Sequence, residues 1–162
     1  MKESTFQRED LKYSFLWNNG YTDANWKRLA REGIKKIESL EGAPSVIDFG
    51  FGRGSAMNFF EERGIEVAGV EISKYAIEEQ KKKGKKVYHT SLDNLNMFVD
   101  KRFRIGFCND VIEHIPENLI AQSLDEMTRV CSDYLFLSVC PTPSNHLSQT
   151  GENLHLTVRP ES

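Results

Sequence analysis

The chain has 162 residues, 39% of them hydrophobic and 28% charged, which is the composition of one globular domain long enough to bury a core. No apolar run approaches the roughly 20 residues of a membrane-spanning helix, and the N-terminus MKESTFQRED has no signal-peptide core. A net charge of -3 excludes broad, charge-driven binding to nucleic-acid phosphates, and the one basic run, KKKGKK at 81–86, reads as a solvated helix end.

From the N-terminus, YSFLWNNGYTDANW (13–26) is rich in aromatics. Residues 23–40 then place Trp26, Leu29, Ala30, Ile34, Ile37 and Leu40 at helical spacing, with Asp23 as N-cap, and so predict one amphipathic helix. PSVIDF (44–49) is a short apolar strand that ends in an acid. SAMNFFEERG (55–64) is a helix closed by Gly64, and IEVAGVE (65–71) is a second strand. Ser73 caps a helix over KYAIEEQKKK (74–83) that stops at Gly84. KKVYH (85–89) and FRIGFCND (103–110) are further strands. Pro116 opens a helix over ENLIAQSLDEMTRVCS, with Leu119, Ile120, Leu124, Met127 and Val130 on one face, and YLFLSV (134–139) is the fifth strand.

Strands that are apolar on both faces and alternate with helices predict a doubly wound α/β fold, its mostly parallel sheet covered on both sides. Ligands of such folds bind beyond the carboxyl ends of the strands. Gly50, Gly52 and Gly54 follow the first strand directly, where missing side chains let a ligand approach the backbone. A dinucleotide fold wants G-x-G-x-x-G, but Ser55 stands at the third glycine position, and Asp48 would repel a pyrophosphate. Glu71, at the end of the second strand, is placed to accept hydrogen bonds from both hydroxyls of a ribose. The pattern suits a nucleoside that has a ribose and a positive charge but no phosphate.

These motifs resemble those of the class I S-adenosylmethionine-dependent methyltransferases. VIDFGFGRG is similar to their first motif, VAGVEIS to their second-strand acidic motif and HTSLDNL (89–95) to the loop beside the adenine. FRIGFCNDVIEHIP (103–116) resembles the fourth-strand motif, close in wording to the ubiquinone-biosynthesis-type small-molecule enzymes. The resemblance implies S-adenosyl-L-methionine as cofactor. Asp48, Gly50, Gly52 and Gly54 would frame its methionine part, and Glu71 would hold the ribose. Ile72, Leu92 and Asp93 would surround the adenine, and Asn109 and Asp110 would lie at the methyl-donor end. The chain then reads as a single domain over 1–162, with an N-terminal helical or lid segment (1–43), a cofactor-binding core (44–140) and a C-terminal tail (141–162). Tyr13, Trp17 and Tyr21 would shape the lid and meet the sulfonium by cation–π contact.

Methyl transfer needs alignment and exclusion of water, with a base only if the acceptor loses a proton. His114 is the first candidate for catalysis, and Glu113, Asp110, His155 and His146 follow. VIEHI is similar to metal-dependent small-RNA methyltransferases at Glu113 and His114, but a second Glu/His pair is missing, so no metal is expected. Cys108, Cys131 and Cys140 have no CxxC spacing and are odd in number, which reads as reduced thiols in a cytoplasmic protein. Cys140 lies near the nucleophile position of RNA cytosine-C5 methyltransferases, but the partner Pro-Cys is absent and a small buried hydrophobe is expected. NDVI also differs from the Asn/Asp-Pro-Pro-aromatic motif of the exocyclic-amine DNA enzymes. Members of the resembled class carry two further strands after the fifth. Their absence before Ser162 implies an exposed apolar edge, and three explanations stay open: a truncated chain, a natural short form completed by self-association or by a partner, and a relic that binds cofactor without turnover. The function expected is methyl transfer to a small-molecule acceptor. A non-catalytic S-adenosylmethionine-binding subunit is the alternative, and a dinucleotide oxidoreductase ranks third.

Overall fold

The computed structural model describes residues 4–22, 25–42 and 44–158. Three helices, α1 (Thr5–Asn18), α2 (Trp26–Leu29) and α3 (Arg31–Glu38), precede the first strand, β1 (Ser45–Phe49). The chain continues through α4 (Ser55–Glu61), β2 (Glu66–Glu71), α5 (Lys74–Lys82), β3 (Val87–His89) and β4 (Phe103–Asn109). A 3-10 turn at Ile112–His114 leads into α6 (Glu117–Val130) and β5 (Cys131–Ser138). All strand pairs are parallel, in the order β3-β2-β1-β4-β5. The chain winds outward from β1 to β3 and then returns to the other side of β1, so the switch point lies between β1 and β4.

Successive side chains of a strand point to opposite faces, and both faces of this sheet are apolar. Val46, Val67, Ile105 and Phe107 pack on one side with Met57, Phe60 and Ile77 from α4 and α5. Ile47, Phe49, Ala68 and Val70 pack on the other with Leu95, Met127 and Val130. Phe60 of α4 is fully buried and meets Phe107 of β4 edge-on at 5.2 Å.

The helix expected over 23–40 is two pieces. It breaks at Ala30, whose φ and ψ of -90° and 5° leave the helical region. Asp23, expected as its cap, lies outside the described residues. Gly33 sits where α3 crosses β5, and a Cβ there would stand 2.5 Å from the Phe136 ring. β5 begins at Cys131, three residues earlier than expected, because the chain passes straight from α6 into pairing with Phe103. The outer side of β5 has no neighbouring strand among the described residues, and Tyr134, Leu137 and Val139 are exposed there.

The helix α1, rich in polar residues, is held by its contact with α5. Ser4 and Gln7 form a capping box at its start. Asp10 and Ser14 reach across to the open N-terminus of α5 and accept from Lys74 N at 2.7 Å and Tyr75 N at 3.1 Å. The N–H groups that α5 leaves unsatisfied thus fix α1 over the ends of β1 and β2. Four of the five lysines at 81–86 face glutamates: Lys81 Glu78, Lys82 Glu79, Lys85 Glu61 and Lys86 Glu66.

Replacing Phe60 by Ala opens a cavity in the core between α4 and β4 and is expected to cost about 3–5 kcal/mol, read by urea denaturation. A loss below about 1 kcal/mol would show that the fold does not depend on this packing.

Candidate cofactor site

The turn after β1 is built by glycines in the left-handed region, with φ of 73° at Gly50, 53° at Gly52 and 76° at Gly54. Gly50 N donates to Val70 O at 2.8 Å, which closes the turn onto β2. Gly50 and Gly52 border a cavity of about 910 Å³ that opens along the carboxyl ends of the strands. Gly54 does not border it. It closes the turn at the start of α4, and a Cβ there would meet the Gln80 amide at 2.9 Å. The expectation that Gly54 frames the methionine is therefore corrected to a purely conformational role, set by the tightness of the turn.

Glu71 is buried at the end of β2, and its carboxylate is fixed by three backbone donors. Oε2 accepts from Gly52 N at 2.9 Å, while Oε1 accepts from Ile72 N at 2.8 Å and Ser73 N at 3.0 Å. Burial pushes its pKa up, against these three N–H groups and the nearby His89, which hold it down. A carboxylate offers about four lone-pair sites, so little capacity remains beyond these three bonds. A ribose that takes two hydrogen bonds from Glu71 must displace the Gly52 contact.

The remaining expected residues border the same cavity: Asp48 in β1, Asn109 at the end of β4 with Asp110 following it, and Ile72, Leu92 and Asp93 after β2 and β3. Asp110 holds φ at 61°, which turns the chain sharply out of β4. The loop carrying Leu92 and Asp93 is clamped by α6. Gln122 donates to Asp93 O at 2.9 Å, Glu126 accepts from Leu95 N at 2.9 Å, and Arg129 donates to Leu95 O at 3.1 Å and Phe98 O at 2.9 Å.

Trp17 is seated closely on Gly52: a Cβ on that glycine would lie 2.6 Å from the indole. Arg53 latches the same segment by donating to Trp17 O and Tyr21 O, each at 2.8 Å. The buried polar atoms without a hydrogen-bond partner include three near this turn, Trp17 Nε1, Asn109 Oδ1 and Gln80 Oε1, of which the first two belong to residues that border the cavity. An unpaired donor and an unpaired acceptor on residues that border the cavity suit a ligand that carries both an anion and a cation, such as an amino acid. The aromatic-rich segment signalled a lid, but nothing in its spacing pointed to this role for Trp17.

His114, His146 and His155 also border the cavity, beside Tyr13 and Tyr21. His114 Nδ1 is 3.0 Å from Leu154 O and 2.9 Å from Tyr13 Oη. A carbonyl only accepts, so Nδ1 carries the proton and Nε2 the lone pair. Burial, aided by His155, pushes its pKa down to about 4 and keeps it neutral. Tyr21 meets His146 edge-on at 5.3 Å, as His114 meets His155 at 4.7 Å. Glu113 does not border the cavity. It is fully buried, accepts from Cys140 N at 2.7 Å, and is pushed up to about 8 by burial and by the neighbouring Asp110. Cys140, expected to be buried, is half exposed beside Thr142, because it lies past the end of β5. All three cysteines are free thiols.

Residues 47–134, more than half of the chain, match the family model of the methyltransferase domain. The chain belongs to that family. Its fold is shared with a S-adenosylmethionine-dependent methyltransferase from Archaeoglobus fulgidus at 23% identity and a TM-score of 0.58, covering 67% of this chain and 50% of the other. The 1,6-didemethyltoxoflavin-N1-methyltransferase of Burkholderia thailandensis, solved with S-adenosylhomocysteine, aligns over 94% of this chain and 72% of its own at 17% identity and a TM-score of 0.62. A methyltransferase bound to the Trm112 activator of Haloferax volcanii aligns at 16% identity and a TM-score of 0.61, over 75% and 56%. No curated protein sequence matches the chain. The chain spans about half the length of the first structural relatives. No helix of the described residues is long and apolar enough to cross a membrane.

Within this methyltransferase fold, Glu71→Gln replaces a charged acceptor by a neutral amide. Hydrogen bonds to charged groups contribute about 1.5–3 kcal/mol, so S-adenosylhomocysteine affinity is expected to fall about ten- to hundredfold in calorimetric titration. Unchanged affinity would remove Glu71 from the site.

Proposed function

We propose that this chain is a S-adenosylmethionine-dependent methyltransferase that acts on a small-molecule acceptor. The observation that carries the reading is the pairing of two ends in one cavity. Glu71 stands fixed at a position that suits a ribose, and the unpaired Trp17 Nε1 and Asn109 Oδ1 lie beside the glycine turn, where an amino-acid end would fit. When bound, the cofactor supplies an activated methyl group on a sulfonium, which leaves the protein the tasks of alignment and of excluding water.

Each part of the chain has a role in that scheme. Gly50 and Gly52 admit the ligand against bare backbone, and Asp48 and Asp110 provide negative charge for a cationic ligand. Ile72, Leu92 and Asp93 take the base. Trp17, Tyr13 and Tyr21 close the roof, with Arg53 holding the roof to the glycine turn. His114 faces the acceptor end as a neutral imidazole and is the candidate to take the acceptor's proton on Nε2. An acceptor end built from Tyr21, His114, His146 and His155 favours turnover over the alternative of a subunit that only binds cofactor. The neutralised lysine run at 81–86 favours a small acceptor over a nucleic acid.

Trp17→Phe removes the indole N–H together with part of the ring surface that lies on Gly52. Affinity for S-adenosylhomocysteine is expected to drop about tenfold or more, while 5′-methylthioadenosine, which lacks the amino-acid end, binds as before. An equal loss for both ligands would contradict the assignment of this recess. Turnover is tested by S-adenosylhomocysteine release against a panel of hydroxyl, amine and thiol acceptors, and the His114→Gln variant should be slower on any acceptor found.

A further inference from the structure

Three segments that are remote in sequence converge behind the acceptor end of the cavity. The 3-10 turn after β4 contributes Glu113, the chain just past β5 contributes Cys140, and the returning tail contributes His155. One carboxylate oxygen, the thiol sulfur and one imidazole nitrogen of these residues all lie within 4.8 Å of one another. Carboxylate, thiolate and imidazole form the ligand set of zinc and its close analogues.

The remaining atoms of the three side chains are held as metal ligands require. Glu113 is 0% exposed, its Oε1 accepts from Cys140 N at 2.7 Å, and its carboxyl also interacts with the neighbouring Asp110. His155 Nδ1 is hydrogen-bonded to Thr142 O, which can only accept, so Nδ1 carries the proton and Nε2 keeps the lone pair. Cys140 Sγ lies 3.3 Å from Thr142 Oγ1, and its thiol is free. Asp110 and His114 lie within the same 4.8 Å span of Glu113 and add a second carboxylate to the recess.

We infer that Glu113, Cys140 and His155 bind a divalent cation of the zinc class. Ligand bonds of about 2.0–2.3 Å in tetrahedral geometry place two ligands about 3.3–3.6 Å apart, so the three side chains draw together by up to about 1 Å on binding. Three protein ligands leave a fourth position open. Cys140 and His155 border the cavity, so that position adjoins the acceptor end. The ion also ties the tail, whose Leu156 N and Thr157 N already donate to Glu113 O at 2.7 and 3.0 Å, to the turn after β4. The site is independent of the cofactor reading, because none of the three side chains touches the glycine turn or Glu71.

The experiment uses the purified full chain, freed of metal with a chelator and titrated with Co²⁺ by absorption and with Zn²⁺ by calorimetry. One equivalent of Co²⁺ should bind with a thiolate-to-cobalt charge-transfer band. Cys140→Ser should abolish that band, and His155→Ala should weaken Zn²⁺ binding by about tenfold or more. Cys131→Ser, a thiol outside the cluster, should leave both signals unchanged. Both test variants replace half-buried side chains, so folding, checked by circular dichroism, is retained. Absence of saturable uptake, or a band that survives Cys140→Ser, overturns the site.

Discussion

The structure depends on one buried carboxylate held by backbone alone. Glu71 accepts from Gly52 on the first crossover and from Ile72 and Ser73 on the second, so a single side chain joins the carboxyl ends of β1 and β2. A charge this deeply buried is tolerated because its partners are oriented N–H groups that need no reorganisation. The glycine turn is thereby held at the depth where a ligand can lie against it. The N-terminus of α5 begins at the same place and is completed by Asp10 and Ser14 of α1. The floor and the roof of the cavity therefore share one anchor, and the roof residues Tyr13 and Trp17 follow from it.

The legible part of the site was the part written locally. Asp48, Gly50, Gly52, Glu71, Ile72, Asn109 and Asp110 each end a strand or follow one directly, and an apolar run that stops at an acid or a glycine marks such a point without any tertiary information. All of these border the cavity. Gly54 shows the limit of the same signal: a third glycine in the run serves the turn and faces Gln80 instead of the ligand. The break at Ala30 was illegible because the helical spacing runs on through it, and the early start of β5 because its first residues pair with β4 while helical periodicity reaches almost to them.

What sequence reasoning missed comes from chain segments far apart. Trp17 reaches Gly52 only because α1 docks on α5, and neither helix announces that contact in its pattern. Glu113, Cys140 and His155 sit on a turn, a loop and a tail, and no motif spacing links them. Their meeting follows from β4 and β5 ending side by side and from the tail folding back onto Glu113 O. A metal reading confined to Glu/His pairs in sequence does not reach this grouping, because the thiol and the second imidazole arrive through the fold.

The central claim is that the cavity along the strand ends is built for a nucleoside with an amino-acid end and no phosphate. Its most direct test is calorimetric titration of the purified chain with S-adenosylhomocysteine and with NAD in parallel. The account predicts saturable, one-to-one binding of S-adenosylhomocysteine and no heat from NAD. Binding of NAD, or of neither ligand, would contradict it.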